Sequence, residues 1–192
     1  MRARATRTSE ERTRCGTALA AHVAALPQVR AGSVVSAYVS VGTEPPTDGL
    51  LTALSERGVR VLLPVLLPDG DLDWAPYVGP DRLAPAARGL LEPDATLTRL
   101  GPAAVADADL VLVPGLAADG SGHRLGRGGG SYDRALARVR TGATTAVLLY
   151  DDELLDDVPV EAHDRAVDLA VTPGGVHRFR ATTDVREDGH RR

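Results

Sequence analysis

Apolar and polar positions along the chain follow two patterns, one typical of helices and one typical of buried strands. Near the amino terminus, apolar positions recur at helical spacing from Cys15 to Leu26, which predicts a first helix. Thr8 and Glu11 have the spacing of a capping box, so we expect this helix to begin near Ser9.

Short, continuously apolar runs predict strands that are covered on both faces of a sheet. These runs extend over Val34 to Val41, Val59 to Leu63, Ala108 to Val113, Thr145 to Leu149 and Val167 to Val171. A second helix is predicted from Thr47 or Asp48 to Gly58, and another begins at about Ser131. Strands that alternate with helices predict an α/β fold with a mostly parallel sheet between two helical layers.

The middle of the chain, from Pro64 to Pro102, is rich in proline and glycine and has weaker periodicity. We expect one strand here, Leu72 to Val78, with Trp74 and Tyr77 packed on opposite faces. Trp74 is interpreted as a packing residue rather than a platform for a ligand.

Composition limits the classes of partner and compartment. The chain has 192 residues, which we assign to one domain at 1–180 and a flexible tail at 181–192. The net charge of −4 favours small-molecule partners over nucleic acid or an anionic membrane surface. No apolar run approaches the roughly 20 residues that span a bilayer. Cys15 is the single cysteine, so no intramolecular disulfide is possible and we expect a buried thiol. Arg2, Arg4 and Arg7 are followed by charged residues rather than by the apolar segment of a signal peptide, so we expect a cytoplasmic protein, and we expect it to be a monomer.

A glycine-rich segment follows directly after the predicted strand Ala108 to Val113. It carries seven glycines from Gly115 to Gly130, interrupted by Arg124 and Arg127 and followed by Asp133. Exposed backbone amides, arginines and an acid able to hold a metal suit a nucleoside triphosphate. Ligands of α/β folds bind at the carboxyl ends of strands, which is where this segment lies. The alternative is a flexible loop with solvated arginines.

Two familiar glycine signatures do not fit this segment. The phosphate loop requires a lysine, and all 22 basic residues of the chain are arginine. The dinucleotide fingerprint is matched by Gly126 and Gly128, but Ser131 stands in the place of its third glycine.

The segment Arg124 to Asp133, preceded by Pro114-Gly115, closely resembles the signature of the 5-formyltetrahydrofolate cyclo-ligase (methenyltetrahydrofolate synthetase) family. Three further segments resemble the same family in the right order: Tyr38 to Thr47, Gly89 to Pro93 and His163-Asp164. The resemblance thus extends over most of the chain.

This resemblance implies a three-layer, Rossmann-like α/β fold related to sugar-phosphate isomerases and coenzyme A transferases. It also implies an enzyme that uses ATP and Mg²⁺ to close 5-formyltetrahydrofolate to 5,10-methenyltetrahydrofolate, releasing ADP and phosphate. The formyl oxygen would be phosphorylated first and then displaced by the N10 amine. Such phosphoryl transfer depends on positioning and charge neutralisation rather than on a protein nucleophile.

On the same resemblance, ATP is expected to bind the glycine segment, with backbone amides around the phosphates. The expected ATP-binding residues are Arg124, Leu125, Gly126, Arg127, Gly128, Gly129, Gly130, Ser131 and Tyr132. Arg124 and Arg127 are the expected catalytic residues, Arg124 neutralising the triphosphate and Arg127 contacting the transferring group or the folate.

The remaining expected roles concern folate and metal. Val39, Glu44 and Arg127 are expected to bind the folate, because amide and amino donors of the pterin suit a carboxylate acceptor. Asp133 and Asp164 are expected to hold Mg²⁺. Each acid also has a structural interpretation: a first-turn helix acid for Asp133, a loop cap for Asp164 and a plain turn acid for Glu44.

The chain departs from the family pattern at two places. Family members have a longer first helix carrying Lys-x-x-x-Arg, and its lysine reaches ATP. Arg2, Arg4 and Arg7 precede the first predicted helix, and one of them could take that place, although arginine does not copy an ammonium group. Ser131 and Ala118 stand where aromatic residues are common in the family. We therefore expect the wall of the ligand site to be reduced by these smaller side chains.

Two other functions stay open. One is a regulatory protein of the same fold that binds nucleotide and folate without turnover. The other is a sugar-phosphate or acyl-group enzyme in which Glu44 or Glu92 is the catalytic carboxylate. The latter does not explain the spacing from Arg124 to Asp133.

Overall fold

A seven-stranded sheet runs through the centre of the chain in the computed structural model, which describes residues 2–179. The tail expected at 181–192 lies outside the described residues. The strands are β1 (Val34–Ser36), β2 (Arg60–Leu66), β3 (Leu72–Pro76), β4 (Leu83–Pro85), β5 (Leu91–Pro93), β6 (Leu110–Pro114), β7 (Ala117–Ala118), β8 (Arg124–Leu125), β9 (Thr144–Leu148), β10 (Leu169–Thr172) and β11 (Gly175–Arg178).

The main sheet has the strand order β11-β10-β9-β6-β1-β2-β3. Its five inner strands are parallel to one another, and β3 and β11 pair antiparallel at the two edges. The remaining strands form two small hairpins, β4 with β5 and β7 with β8. The prediction of a mostly parallel sheet is therefore confirmed.

Helices cover both faces of the sheet. They are α1 (Arg2–Thr6), α2 (Ser9–Ala24), α3 (Asp48–Glu56) and α4 (Ser131–Leu136). Residues of α2 and α3 pack on one face, whereas α4 and the 3₁₀ segment Pro102–Asp107 pack on the other. The three predicted layers are confirmed, and Trp74 and Tyr77 pack against opposite faces as expected.

The first long helix begins as its sequence predicts. The Thr8 side chain accepts a hydrogen bond from the Glu11 amide, and the Glu11 carboxylate accepts one from the Thr8 amide. One face of α2 buries Leu19 and Val23 as well as the thiol of Cys15, and burial raises the pKa of Cys15 to about 11. The prediction of a buried thiol is confirmed.

Strand β1 is shorter than predicted, because the chain leaves the sheet after Ser36. The Ser40 amide donates to the Thr47 hydroxyl at 2.9 Å, and the Thr47 amide donates to the Ser40 hydroxyl at 3.2 Å. The Thr47 hydroxyl thus satisfies the Ser40 amide, which lies within the predicted strand. Thr47 was also expected as a possible cap of α3, but neither it nor Asp48 makes a side-chain cap there. The early exit turns residues 38–44 toward the ends of the neighbouring strands.

Within the described residues, no helix has the length and apolar character needed to cross a membrane.

Candidate active site

A cavity of about 460 Å³ opens at the carboxyl ends of β1 and β6. This is the position at which open α/β sheets bind ligands. Every residue expected in the site lines this cavity: Val39, Glu44, Arg124, Leu125, Gly126, Arg127, Gly128, Gly129, Gly130, Ser131, Tyr132, Asp133 and Asp164. The fold thus brings together three segments that are far apart in the sequence.

The glycine segment forms an exposed bend between β8 and α4. Gly128 and Gly130 adopt φ angles of 80° and 64°, a region that residues with a Cβ avoid. The start of the bend is fixed to the end of β6, because the Leu116 amide donates to the Leu125 carbonyl at 2.8 Å. Among residues 2–179, the amides of Gly126 to Gly130 have no acceptor in the chain. The bend therefore presents free donors of the kind that bind phosphate.

Arg124 and Asp133 form a buried ion pair beneath this bend. The Arg124 Nη2 atom lies 3.0 Å from Asp133 Oδ1, and the two side chains are 4% and 14% exposed. Burial lowers the pKa of Arg124 from its ordinary value, while the charges of Asp133 and Asp164 act in the opposite direction. The Arg124 Nε atom is buried and has no acceptor among the described residues. One donor of this guanidinium is thus left for a ligand.

A second ion pair spans the cavity. Arg127 Nη2 lies 3.0 Å from Glu44 Oε1, with the arginine 59% exposed and the acid 9% exposed. The other Glu44 oxygen accepts a hydrogen bond from the Val41 amide at 2.8 Å. Glu44 is therefore both a turn acid and an acid of the cavity, so the two interpretations of this residue do not exclude each other.

Asp164 lies at the edge of the same cavity, next to His163. Its Oδ2 atom accepts a hydrogen bond from the Glu161 amide at 2.7 Å, which is the loop cap considered above. No cluster of three His, Cys, Asp or Glu side chains able to hold a metal occurs within residues 2–179. Mg²⁺ in nucleotide sites is usually held by one or two carboxylates together with phosphates and waters. Asp133 and Asp164 fit that arrangement.

A sequence model of the 5-formyltetrahydrofolate cyclo-ligase family matches residues 1–173. The chain belongs to this family. It is 45% identical over 147 residues to a 5-formyltetrahydrofolate cyclo-ligase of Mycolicibacterium smegmatis, covering 74% of each chain. It is 31% identical over 172 residues to the Escherichia coli cyclo-ligase, covering 88% of this chain and 93% of the relative. Among solved structures, 5,10-methenyltetrahydrofolate synthetase of Aquifex aeolicus matches with a TM-score of 0.78 at 27% identity, over 100% of this chain and 94% of that one.

The reaction of the cyclo-ligase family is the ATP-dependent cyclisation of 5-formyltetrahydrofolate to 5,10-methenyltetrahydrofolate. Membership makes the chain an enzyme of folate metabolism that acts on small molecules. The alternative of a sugar-phosphate or acyl-group enzyme loses its support. Glu92, one of its two candidate carboxylates, accepts a hydrogen bond from the Leu66 amide at 3.0 Å and so ties β5 to the sheet.

The departures from the cyclo-ligase pattern have structural explanations. The Ser131 hydroxyl donates to the Gly70 carbonyl at 2.5 Å, so it ties the start of α4 to the turn between β2 and β3. Ser131 lines the cavity, whereas Ala118 is fully buried in the β7–β8 hairpin and does not. The expectation that Ala118 reduces the wall around the ligand was wrong, because its side chain packs away from the cavity.

Arg4 and Arg7 do not line the cavity, and the side chain of Arg2 lies outside the described part of the chain. Arg4 is buried and binds both carboxylate oxygens of Glu153 and, at 2.7 Å, the carbonyl of Gly115. Arg7 pairs with Asp152, and its guanidinium stacks over the Tyr150 ring at 4.0 Å. Neither arginine is thus free to replace a nucleotide-binding lysine. Arg4 instead supports Gly115, which does line the cavity.

Of the two tyrosines that line the cavity, Tyr132 was expected to bind ATP, whereas Tyr38 was given no role from the sequence. Burial raises the pKa of both Tyr38 and Tyr132 well above the ordinary value for tyrosine, and the charge of Glu44 acts in the same direction. The Tyr38 hydroxyl is buried without a partner among the described residues. Because Tyr38 lines the cavity, its neutral hydroxyl is an unpaired donor in the wall of the site. Its position directly after β1 is the signal that could have indicated it.

Proposed function

We propose that the cavity binds ATP at the glycine bend and 5-formyltetrahydrofolate at the side of Glu44, so that the formyl oxygen meets the γ-phosphate between Arg124 and Arg127. The observation that carries this proposal is the gathering of free bend amides, both arginines and Glu44 around one cavity. These groups match the two substrates of the family reaction in charge and donor type.

The nucleotide half of the proposal rests on the free donors. Amides of Gly126 to Gly130 would bind phosphate oxygens, and the unpaired Nε of Arg124 points to a further anionic acceptor. Asp133 and Asp164 would hold Mg²⁺, which neutralises phosphate charge when it is bound. Because Arg124 is buried, its charge acts through little water and can stabilise charge that develops during the transfer.

The folate half rests on Glu44 and its neighbours. The Glu44 carboxylate would accept hydrogen bonds from the pterin amide and amino groups, with Val39 packed beside the ring. Pterin donors resemble those of a guanidinium, so a bound folate would displace Arg127 from Glu44. The released arginine then lies close to the reacting groups.

The reaction itself needs no protein nucleophile. The formyl oxygen attacks the γ-phosphorus, the bond to the β–γ bridging oxygen breaks, and ADP leaves. The N10 amine then attacks the activated formyl carbon and loses its proton, and phosphate leaves to give the 5,10-methenyl product. The arginines neutralise the phosphoryl group in both steps, and each is worth about 10²–10³ in rate if it contacts developing charge.

The test is turnover of the purified protein with 5-formyltetrahydrofolate, ATP and Mg²⁺, followed by the absorbance of the methenyl product. We expect wild-type turnover, and we expect its loss in Asp133→Asn with the fold retained in circular dichroism. Asp157→Asn is a matched control, because Asp157 is exposed and outside the cavity. Stabilisation by ATP and folate without ADP release would instead indicate the regulatory protein.

A further inference from the structure

The β4–β5 hairpin forms one wall of the cavity and carries an arginine at its tip. Arg88 adopts φ 59° and ψ 23°, and it is the only non-glycine residue with a positive φ in the described chain. This left-handed conformation costs an arginine free energy that glycine or asparagine would largely avoid. Such strain is commonly found at ligand sites, where the surrounding structure maintains it.

The hairpin is held in place at its base and along its length. Arg82 Nε donates to Asp94 Oδ2 at 2.5 Å, and the Asp94 amide donates to the Arg82 carbonyl at 3.0 Å. The Leu66 amide binds Glu92, and the Ala86 amide donates to the Leu90 carbonyl at 2.9 Å. The place of the tip relative to the sheet is thus determined by hydrogen bonds that do not involve the Arg88 side chain.

The Arg88 guanidinium differs from the other two arginines of the cavity. Arg124 is paired with Asp133 and Arg127 with Glu44, as described above. Arg88 lines the cavity, is exposed and has no acid partner within residues 2–179. An unpaired cation on a fixed support at the edge of a cavity is suited to an anionic group of the ligand.

The surroundings of Arg88 favour a carboxylate of the folate over a phosphate of ATP. Phosphate donors lie on the glycine bend, whereas Arg88 belongs to a separate wall with the apolar side chains of Leu90 and Leu91. With the pterin at the buried acid Glu44, the rest of the folate extends toward the open edge of the cavity. Its aromatic ring suits the leucines, and its glutamate follows.

We propose that Arg88 binds the carboxylates of the substrate's glutamyl tail and thereby selects folates that carry one. This inference rests on the proposed placement of the pterin at Glu44. Arg88, with its left-handed backbone, presents an exposed guanidinium in the wall of the cavity, where such a tail would lie.

The experiment compares Arg88→Asn with wild type on two substrates, 5-formyltetrahydrofolate and 5-formyltetrahydropteroate, which lacks the glutamate. Asparagine tolerates the left-handed backbone, so the hairpin tip is preserved. We expect the KM for 5-formyltetrahydrofolate to rise about 10-fold, as for loss of a hydrogen bond to a charged group. The kcat, the KM for ATP and the KM for the pteroate substrate should not change.

Two controls and three outcomes make the result decisive. Arg88→Lys should recover part of the loss, and Arg30→Asn, an exposed arginine outside the cavity, should behave as wild type. An equal rise of KM for the pteroate substrate would show that Arg88 only shapes the wall. A rise of KM for ATP would assign it to phosphate. A KM that stays unchanged in Arg88→Asn for both 5-formyltetrahydrofolate and the pteroate substrate would also overturn the proposal.

Failure of the proposed function is recognised separately. If wild type shows no turnover, the dissociation constants of the two folates are measured by calorimetry, and the same difference between wild type and Arg88→Asn is expected. Equal binding of the two folates by wild type would then reject the role of Arg88 independently of catalysis.

Discussion

Two arginine–carboxylate pairs in the same cavity have the same N–O distance and similarly buried acids, but their arginines differ in exposure. Arg124–Asp133 and Arg127–Glu44 both measure 3.0 Å, but Arg124 is almost fully buried whereas most of Arg127 is exposed. The N–O distance alone therefore says little about how much an ion pair contributes to the stability of the fold. Removal of one partner from a buried pair leaves an uncompensated charge, whereas an exposed partner is readily replaced by water or a ligand.

The local structure explains the difference. Arg124 belongs to β8 and faces the first turn of α4, so two elements of regular structure hold the pair together. Arg127 lies between Gly126 and Gly128 in the bend. Its ion pair with Glu44 joins two separate segments of the cavity wall, and neither residue of the pair belongs to a strand or helix. The first pair suits a fixed support for phosphate, and the second suits a contact that a substrate opens.

The largest expected effect separates the two pairs by stability. We expect Arg124→Met to lower the free energy of unfolding by about 3 kcal/mol, because it breaks a pair in which both side chains are largely buried and leaves Asp133 without its charged partner, with only the Arg165 amide among the described residues as a donor. Arg127→Met should lower it by less than about 1 kcal/mol, because Arg127 is largely exposed, so that water can replace its guanidinium at Glu44, and Glu44 keeps its hydrogen bond from the Val41 amide. Urea denaturation followed by circular dichroism measures both.

A double variant sharpens this result. Arg124→Met combined with Asp133→Leu removes both charges and should recover most of the lost stability, since apolar replacement of a buried pair is close to neutral. Turnover should stay absent, because both groups are proposed to contact the nucleotide. Equal destabilisation by Arg124→Met and Arg127→Met would contradict the distinction between the pairs.

The sequence predicted much of this site because its chemistry is local. The glycine segment, Arg124 and Asp133 lie within a short stretch after a clear buried strand, and the resemblance added Glu44 and Asp164. The partners of these groups were not predictable. The contact between Arg127 and Glu44 depends on the early exit of the chain from β1, after which Ser40 and Thr47 hydrogen-bond to each other.

The hairpin wall shows the other limit of sequence reasoning. Arg88 lies in a segment with weak periodicity, and nothing in its neighbours indicates a left-handed backbone at a non-glycine position. The hydrogen bond from Arg4 to the Gly115 carbonyl was likewise not predictable from the sequence. It links the first residues of the chain to the end of a central strand that is far away in the sequence. Both features depend on tertiary packing rather than on local propensity.

A smaller effect is expected when the exposed pair is broken from its buried side. Glu44→Gln should raise the KM for 5-formyltetrahydrofolate by about 10- to 100-fold, because pterin donors lose a charged acceptor. The KM for ATP should change little. Steady-state kinetics with each substrate varied in turn measures this, and Glu56→Gln, an exposed helix acid, is the control. An unchanged KM for folate would make Glu44 a turn acid and no more.

The smallest expected effect concerns communication between the two substrates. If the pterin displaces Arg127 from Glu44, folate binding releases a cation toward the phosphates. We then expect 5-formyltetrahydrofolate to tighten the binding of a non-hydrolysable ATP analogue by about 5-fold, near the lower end of typical coupling energies. Calorimetric titration of the analogue, with and without saturating folate, gives this factor directly.

Arg127→Gln tests whether the arginine carries this coupling. Glutamine cannot supply the charge, so the analogue should bind with the same affinity whether or not folate is present. Arg57→Gln, which removes an exposed arginine outside the cavity, should retain the wild-type factor. Because coupling of equilibrium binding is reciprocal, the analogue must strengthen folate binding by the same factor in each variant. A factor that survives in Arg127→Gln would mean that the exposed pair merely breaks on binding and transmits nothing.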